Sequence, residues 1–469
     1  MKICLIAEGS YPYVTGGVST WVQTLMTEMH EHEFIIYVIN ADSKRQGQYV
    51  YEFPPNLVEV KEVCLDSYKI EKGKWGKRFN VSDGDFANIA SLIGGTASTD
   101  WGRVFDLLRS GMFENTIDFL SSKDYLDIVE GLAEETGHPL PFNDLFWTVN
   151  SMIQPLLIIV RETIPEADLY HSVSTGYAGI AGVLAKHLHG KPLLLTEHGI
   201  YSREREEEII KADWVKGEFK DLWIRYFYNL SSAIYDAADE VITLFHRNME
   251  IEVEMGCAEE KISIIPNGVE VGQYAALPAV PDDGVIRIGA IVRVVAIKDI
   301  KTMIHSFALV EKEIPNAELH IMGSADEEEM YYEECLQLVS SLGVKNIIFT
   351  GQVNVKEYVG NMDMIVLTSI SEGQPLAILE AMANGKPVVA TNVGSCKELL
   401  LGKSGDDKPA GIICPVLHYE KIAEALVKLC RNPKMRETMG RNGYERVRRF
   451  YRKSVFIERY RTLYQSLGR

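Results

Sequence analysis

Short apolar runs that read as strands alternate with helical patterns at both ends of this chain, and that alternation leaves few folds open. In the first half the runs fall at Lys2 to Ala7, Phe34 to Asn40, Leu169 to Ser172, Pro192 to Thr196, Glu240 to Leu244 and Ile262 to Ile265. In the second half they fall at Arg287 to Val292, Ala317 to Met322, Ile347 to Thr350, Met364 to Thr368, Pro387 to Thr391 and Gly411 to Cys414. Strand and helix in turn are the signature of doubly wound parallel sheets. The 469 residues exceed one hydrophobic core, so the fold class is α/β with two such domains.

The proline-containing stretch from Ala275 to Gly284 is the linker candidate. It divides a first domain, residues 1–274, from a second, residues 284–445, with a closing helix over residues 446–469 that packs back on the first. Residues from about 43 to 150 break the alternation and read as a largely helical insertion. Trp75, Phe79, Phe86, Trp101, Phe105, Phe113 and Trp147 are expected to give it a small core of its own. From Arg441 to Leu467 the chain is basic and amphipathic, either packed against the first domain or touching a membrane.

Composition excludes several functions. A net charge of −18 speaks against a nucleic-acid partner, which needs a basic surface. The seven cysteines show no paired or metal-like spacing and fit free thiols in a reducing compartment. No apolar run approaches the roughly 20 residues that span a bilayer, and Met1 to Ala7 reads as a strand, not a leader. A cytoplasmic chain is the expectation, at most peripheral at the inner face of the membrane.

Chemistry is concentrated in the stretch Ser371-Glu372-Gly373-Gln374-Pro375-Leu376-Ala377-Ile378-Leu379-Glu380. It puts two carboxylates eight residues apart around a helix start that follows a buried strand, with Pro375 in the first turn and Gly385 ending the helix. Ligands bind at such strand ends in open parallel sheets. Glu380, among apolar neighbours, needs a partner, and the pair suits a pyranose hydroxyl and a ribose. Gly16 and Gly17 precede a helix and would let an anion approach backbone amides; a plain turn capped by Thr15 or Ser19 is the alternative. His198, in Thr196-Glu197-His198-Gly199, lies just beyond a central strand. Arg293 and Lys298 follow the first strand of the second half, where a fork and a point charge can neutralise a diphosphate. Asp83-Gly84-Asp85 has the letters of a metal-binding D-x-D motif but lies inside the insertion, where chance explains it better.

In their order along the chain, Gly16-Gly17, His198, Arg293 with Lys298, and Glu372 with Glu380 resemble the retaining GT-B glycosyltransferases of family 4. The phrases Ala7 to Gly17 and Thr196 to Tyr201 further resemble the Pel exopolysaccharide subgroup. The resemblance implies a GT-B fold, two Rossmann-like doubly wound domains facing a central cleft. It implies a nucleotide-sugar donor, UDP-linked, with no metal or other cofactor. Gly16, Gly17, Arg293, Lys298 and the Leu376 amide would hold the donor diphosphate. Glu380, Gln352 and Val353 would meet the ribose and base, and Glu372, Gly373 and Gln374 the donor sugar. His198 would contact the transferred sugar, and retention would follow front-face attack, a Glu372 nucleophile being the rival route. A growing amino-sugar polymer would be the acceptor, beside an inner-membrane synthesis and export complex. The segment Ser324-Ala325-Asp326-Glu327 departs from the family's Gly-Asp-Gly-Pro type turn and puts donor contacts there in doubt. A sugar-nucleotide epimerase and a catalytically silent nucleotide-binding scaffold are the competing readings.

Overall fold

The computed structural model describes residues 1–67, 75–95, 98–135, 141–271, 283–402 and 408–468. It divides into two compact units. The first comprises Met1–Thr243, Asn248–Ile264 and Arg461–Arg469; the second comprises Leu244–Arg247 and Ile265–Tyr460. All but the last two residues of the proposed linker, 275–284, lie outside the described residues.

The first unit holds β1 (Lys2–Glu8), β2 (Glu33–Asn40), β3 (Leu57–Cys64), β4 (Leu169–Ser172), β5 (Leu193–Glu197), β6 (Glu240–Thr243) and β7 (Ile262–Ile264). They form one parallel sheet in the order β3-β2-β1-β4-β5-β6-β7. The second unit holds β8 (Ile286–Ile291), β9 (Ala317–Met322), β10 (Ile347–Gly351), β11 (Met364–Leu367), β12 (Val388–Thr391) and β13 (Gly411–Cys414). These too are parallel, in the order β10-β9-β8-β11-β12-β13. Central strands such as β4 and β11 are buried at every residue, as a sheet covered by helices on both faces demands. In both sheets the chain runs outward three strands, then crosses back to the far side of the first. That reversal opens a crevice at the carboxyl ends of β1 and β4, and another at those of β8 and β11.

β3 corrects the extent assigned to the insertion. It is an edge strand with only Val63 buried and with Glu59, Lys61 and Glu62 along it, so its apolar period is weak. The helical part begins at the helix Asp83–Gly94 and runs through the helix Phe142–Arg161, past residue 150. Nor does it have a core of its own. Ile89, Phe105, Tyr125 and Met152 belong to the same buried cluster as Tyr37 and Tyr170 of the sheet. Trp75 and Trp147 take no part, being 76% and 55% exposed. Asp83-Gly84-Asp85 is the first turn of a helix capped by Ser82, with Asp85 paired to Arg103.

The basic carboxyl-terminal stretch is two helices, Pro433–Phe450 and Lys453–Leu467, not one. Arg446 of the former donates to the Leu399 and Leu400 carbonyls of the second unit, so that helix belongs there rather than to the first domain. Residues from Arg461 onward group with the first unit, where the Tyr464 hydroxyl lies 2.8 Å from Nδ1 of the buried His171.

A buried pair of acids gives the first unit a pH response. Glu197, ending β5, accepts from the Tyr235 hydroxyl at 2.5 Å and the Tyr201 amide at 3.1 Å. Burial raises its carboxyl above the ordinary range; burial and then repulsion from Glu197 raise that of Glu252. A raised acid contributes stability that is fully present below the ordinary carboxyl pKa and is lost as pH rises through the folded value. Glu252→Gln is therefore expected to raise the thermal midpoint at pH 8 by about 2–4 °C for each kcal/mol of relieved repulsion, with little change at pH 4. An unaltered slope of midpoint against pH would contradict this assignment.

Candidate functional site

In the second unit the crevice between β8 and β11 is built by two loops stitched together through backbone. Lys298 ends a short 3-10 turn, Ala296–Lys298. Asp299 follows with φ of 48° and caps the helix Ile300–Glu313 by accepting from the Thr302 amide at 3.2 Å. From the loop after β11, the Thr368 hydroxyl bonds the Lys298 and Asp299 carbonyls, both at 3.0 Å, and the Ile370 amide donates to Ile297 at 2.9 Å. The stitching brings Lys298 Nζ to 2.5 Å from Glu372 Oε1, and the Ser369 hydroxyl donates to the same oxygen at 2.5 Å. The two charged side chains are 18% and 10% exposed. An ion pair so shielded is held by position as well as by charge.

Gly373, Gln374 and Leu376 follow on the same loop. Pro375 is the N-cap of the helix Leu376–Ala383 rather than its first residue, and Gly385, with φ of 66°, lies just past its end as expected. The first amides of this helix, which follows the loop after β11, have no intrahelical acceptor, as at any helix start, and such amides suit an anion. Gln374 is buried, and its side-chain carbonyl accepts from the Asn267 amide at 2.5 Å, so that oxygen is already engaged. Glu380 is half-buried, less enclosed than its apolar neighbours suggested.

Arg293, after β8, is exposed and pairs with Glu327. Glu327 belongs to the segment that departs from the family's turn, and the loop is laced to the one after β8. The Val294 amide donates to Ser324 at 2.8 Å and the Ala296 amide to Glu328 at 2.9 Å. Gln352 is exposed and Val353 half-buried beyond β10. The sequence reading missed two groups here. One is Ser369, just past β11, which no pattern in the sequence singles out. Gly394, after β12, has φ of 50°, and a Cβ there would lie 2.2 Å from the Glu372 carbonyl and 2.3 Å from that of Gly373. A glycine in Asn392-Val393-Gly394-Ser395, directly after a strand, was the available signal.

In the first unit, Gly16, rather than Thr15 or Ser19, is the N-cap residue of the helix Gly17–Glu28. His198 sits just past β5, its ring 4.8 Å edge-on from that of Trp21. Burial pulls the imidazole down to about 4, so it is neutral at pH 7. Its Nε2 is buried without a hydrogen-bond partner among the described residues. His171 beneath it bonds Thr196 at 2.8 Å and Tyr464 at 2.8 Å, and burial pulls it down to about 3. At the end of β1, Glu8 accepts from the Tyr201 hydroxyl at 3.2 Å while burial raises its carboxyl. Glu8, Trp21 and His171 were not foreseen, since each reads in sequence as an ordinary strand or helix residue.

Such crevices, in two doubly wound units of seven and six parallel strands, define a class. Residues 281–446 match the family model described as Glycosyl transferases group 1. The structure also resembles Anabaena HepE in complex with UDP-glucose, with a TM-score of 0.62, 15% identity and coverage of 99% of this chain and 100% of that one. The fold is of the GT-B type, and residues 281–446 form a domain of the group 1 glycosyltransferase family. The chain belongs to the family described as Domain of unknown function (DUF3492), whose model matches residues 1–260. It is 29% identical over 175 residues, 37% of the chain, to N-acetyl-alpha-D-glucosaminyl L-malate synthase of Bacillus anthracis, and spans 43% of that relative's length. It is 23% identical over 353 residues to the capsular polysaccharide biosynthesis glycosyltransferase CapM of Staphylococcus aureus, covering 71% of the chain and 85% of the relative.

Proposed function

We propose that the chain transfers a sugar, with retention of anomeric configuration, from a nucleotide-sugar donor to a growing exopolysaccharide. The observation that carries this reading is the Lys298–Glu372–Ser369 cluster at the β8/β11 crevice. A cation and a carboxylate fixed side by side suit a ligand whose anionic diphosphate adjoins a hydroxyl-rich sugar. Lys298 and Arg293 hold the diphosphate, with the amides at Gly373 and Leu376 and those at Gly16 and Gly17 adding to its neutralisation. Glu372 accepts from sugar hydroxyls, and Glu380 from the ribose, with Gln352 and Val353 toward the base.

As the glycosidic bond to phosphate breaks, negative charge builds on the departing diphosphate, and fixed cations there lower the barrier. The leaving phosphate oxygen takes the acceptor's proton on the same face. A neutral His198 donates or accepts one hydrogen bond to the transferred sugar and adds no positive charge. Glu372, bound by both Lys298 and Ser369, has its Oε1 committed, which disfavours the rival nucleophilic route. With Lys298 and Arg293 as the counter-charge, no metal is required.

A UDP-linked donor, a cytoplasmic site and an acceptor of the Pel type, growing beside an inner-membrane assembly, complete the reading; the resemblance to that subgroup and to capsular enzymes supports them. The test is calorimetric binding of UDP, GDP and ADP to the full chain, followed by transfer assays with the matching sugar nucleotides. UDP is expected to bind at least tenfold more tightly than the others, and chelator is expected to leave transfer unchanged. Activity lost to chelator and restored by divalent metal overturns the metal-free step. An isomerised nucleotide product, or binding without turnover, overturns transfer itself.

A further inference from the structure

The second unit carries a basic surface that sugar transfer does not use. The helix Pro433–Phe450 ends in Arg448, Arg449 and Phe450, and Arg452 follows one residue beyond it. With Arg441, Tyr444 and Glu445 these arginines line an open groove of about 830 Å³. Arg441, Arg448, Arg449 and Arg452 are exposed, and none has an ion-pair partner among the described residues. Among the described residues, Glu445 is the one acid lining the groove. Phe450 stands among them 51% exposed, with the Arg449 guanidinium 4.9 Å from its ring centre. On a chain of net charge −18 such a cluster is a local exception.

The break at Tyr451 matters for what this surface can do. In Lys453–Leu467 the apolar residues Phe456, Ile457, Tyr460 and Tyr464 are buried, so that helix has no apolar face to lay on a bilayer. The basic charge gathers instead at the end of the preceding helix, around one protruding ring. We infer that this surface docks the protein on a membrane containing anionic lipid, the arginines meeting headgroup phosphates and Phe450 entering the interface. Arginine forks match phosphate oxygens, and clusters of four or more basic residues bind acidic leaflets electrostatically. The exposed ring favours lipid over free phosphate, which has no apolar part to receive it. The overall negative charge repels the same leaflet elsewhere and is screened within roughly 8 Å at physiological salt, so the patch also sets the docked orientation.

The inference does not depend on the donor chemistry. The full chain is to be sedimented with vesicles of equal parts phosphatidylglycerol and phosphatidylcholine, and with vesicles of phosphatidylcholine alone. Binding is expected to the first only and to weaken with salt. Arg448→Gln and Arg449→Gln should each lower it roughly fivefold, and Phe450→Ala a few-fold further, with UDP binding by calorimetry unchanged in all three. Equal binding to both vesicles overturns the inference. So does full release by millimolar inorganic phosphate, or an unaltered Arg448→Gln/Arg449→Gln double variant. Tighter binding to a soluble DNA oligomer than to the anionic vesicles assigns the surface to another polyanion and overturns it as well.

Discussion

Lys298→Ala is expected to lower turnover by roughly a hundred- to a thousandfold, the range found when one fixed donor of charge stabilisation is removed from an active site. Lys298 is rigid: its own carbonyl and that of Asp299 are held by Thr368, and its ammonium by Glu372. Its loss takes away a charge that is already in place when the diphosphate departs. Glu372→Ala should be as damaging through a different term, raising KM as well as lowering turnover, if the carboxylate contacts the sugar as proposed, in the ground state and more strongly in the transition state. It also leaves Lys298 partly shielded without its partner, so some thermal destabilisation is expected, and Glu372→Gln separates that from chemistry. Arg293→Ala should cost far less, about tenfold, since its guanidinium is solvent-exposed and shared with Glu327. Steady-state rates on folded variants check all three. Near wild-type turnover in Lys298→Ala removes this cluster from the reaction.

What the sequence revealed and what it hid follow from the physics of each element. Parallel strands covered on both faces announce themselves as apolar runs, and the largely buried β4 and β9 fall on the residues expected of them. β3 did not, because an edge strand needs only one covered face and carries charge on the other. The aromatic residues of the insertion misled for a related reason. Composition cannot tell Phe105, sunk in the common core, from Trp147, which faces water. Lys298 and Glu372 were legible as separate charges after separate strands. Their contact was not, since it depends on which strands adjoin, and that is set by the crossover between β10 and β11. His198 was found by its place after β5, whereas its neutral state follows only from burial beside Trp21 and His171. Gly394 was missed because a glycine's purpose lies in what its missing Cβ would strike.

Two glycine substitutions should therefore behave in opposite ways. Gly394→Ala is expected to destabilise the second unit by roughly 2–5 kcal/mol, from left-handed strain plus overpacking. A Cβ at that position meets the Glu372 and Gly373 carbonyls head-on, and backbone cannot swing aside as a side-chain tip can. The strand-end loop must shift, moving Glu372 off Lys298 and the Gly373 amide with it, so donor binding is expected to fall by about a hundredfold even in the fraction that stays folded. Gly17→Ala offers the contrast. Nothing lies within 4 Å of the position its Cβ would take, and Gly17 is the first residue of a helix, where alanine is the better former by up to about 1 kcal/mol. The variant should melt at or above the wild-type temperature. If Gly17 is glycine because a phosphate must approach its amide, the same variant should nevertheless lose transfer activity at least tenfold. Thermal melts beside transfer assays resolve the two cases, and a Gly17→Ala protein that is both more stable and fully active strips the Gly16–Gly17 turn of any part in donor binding.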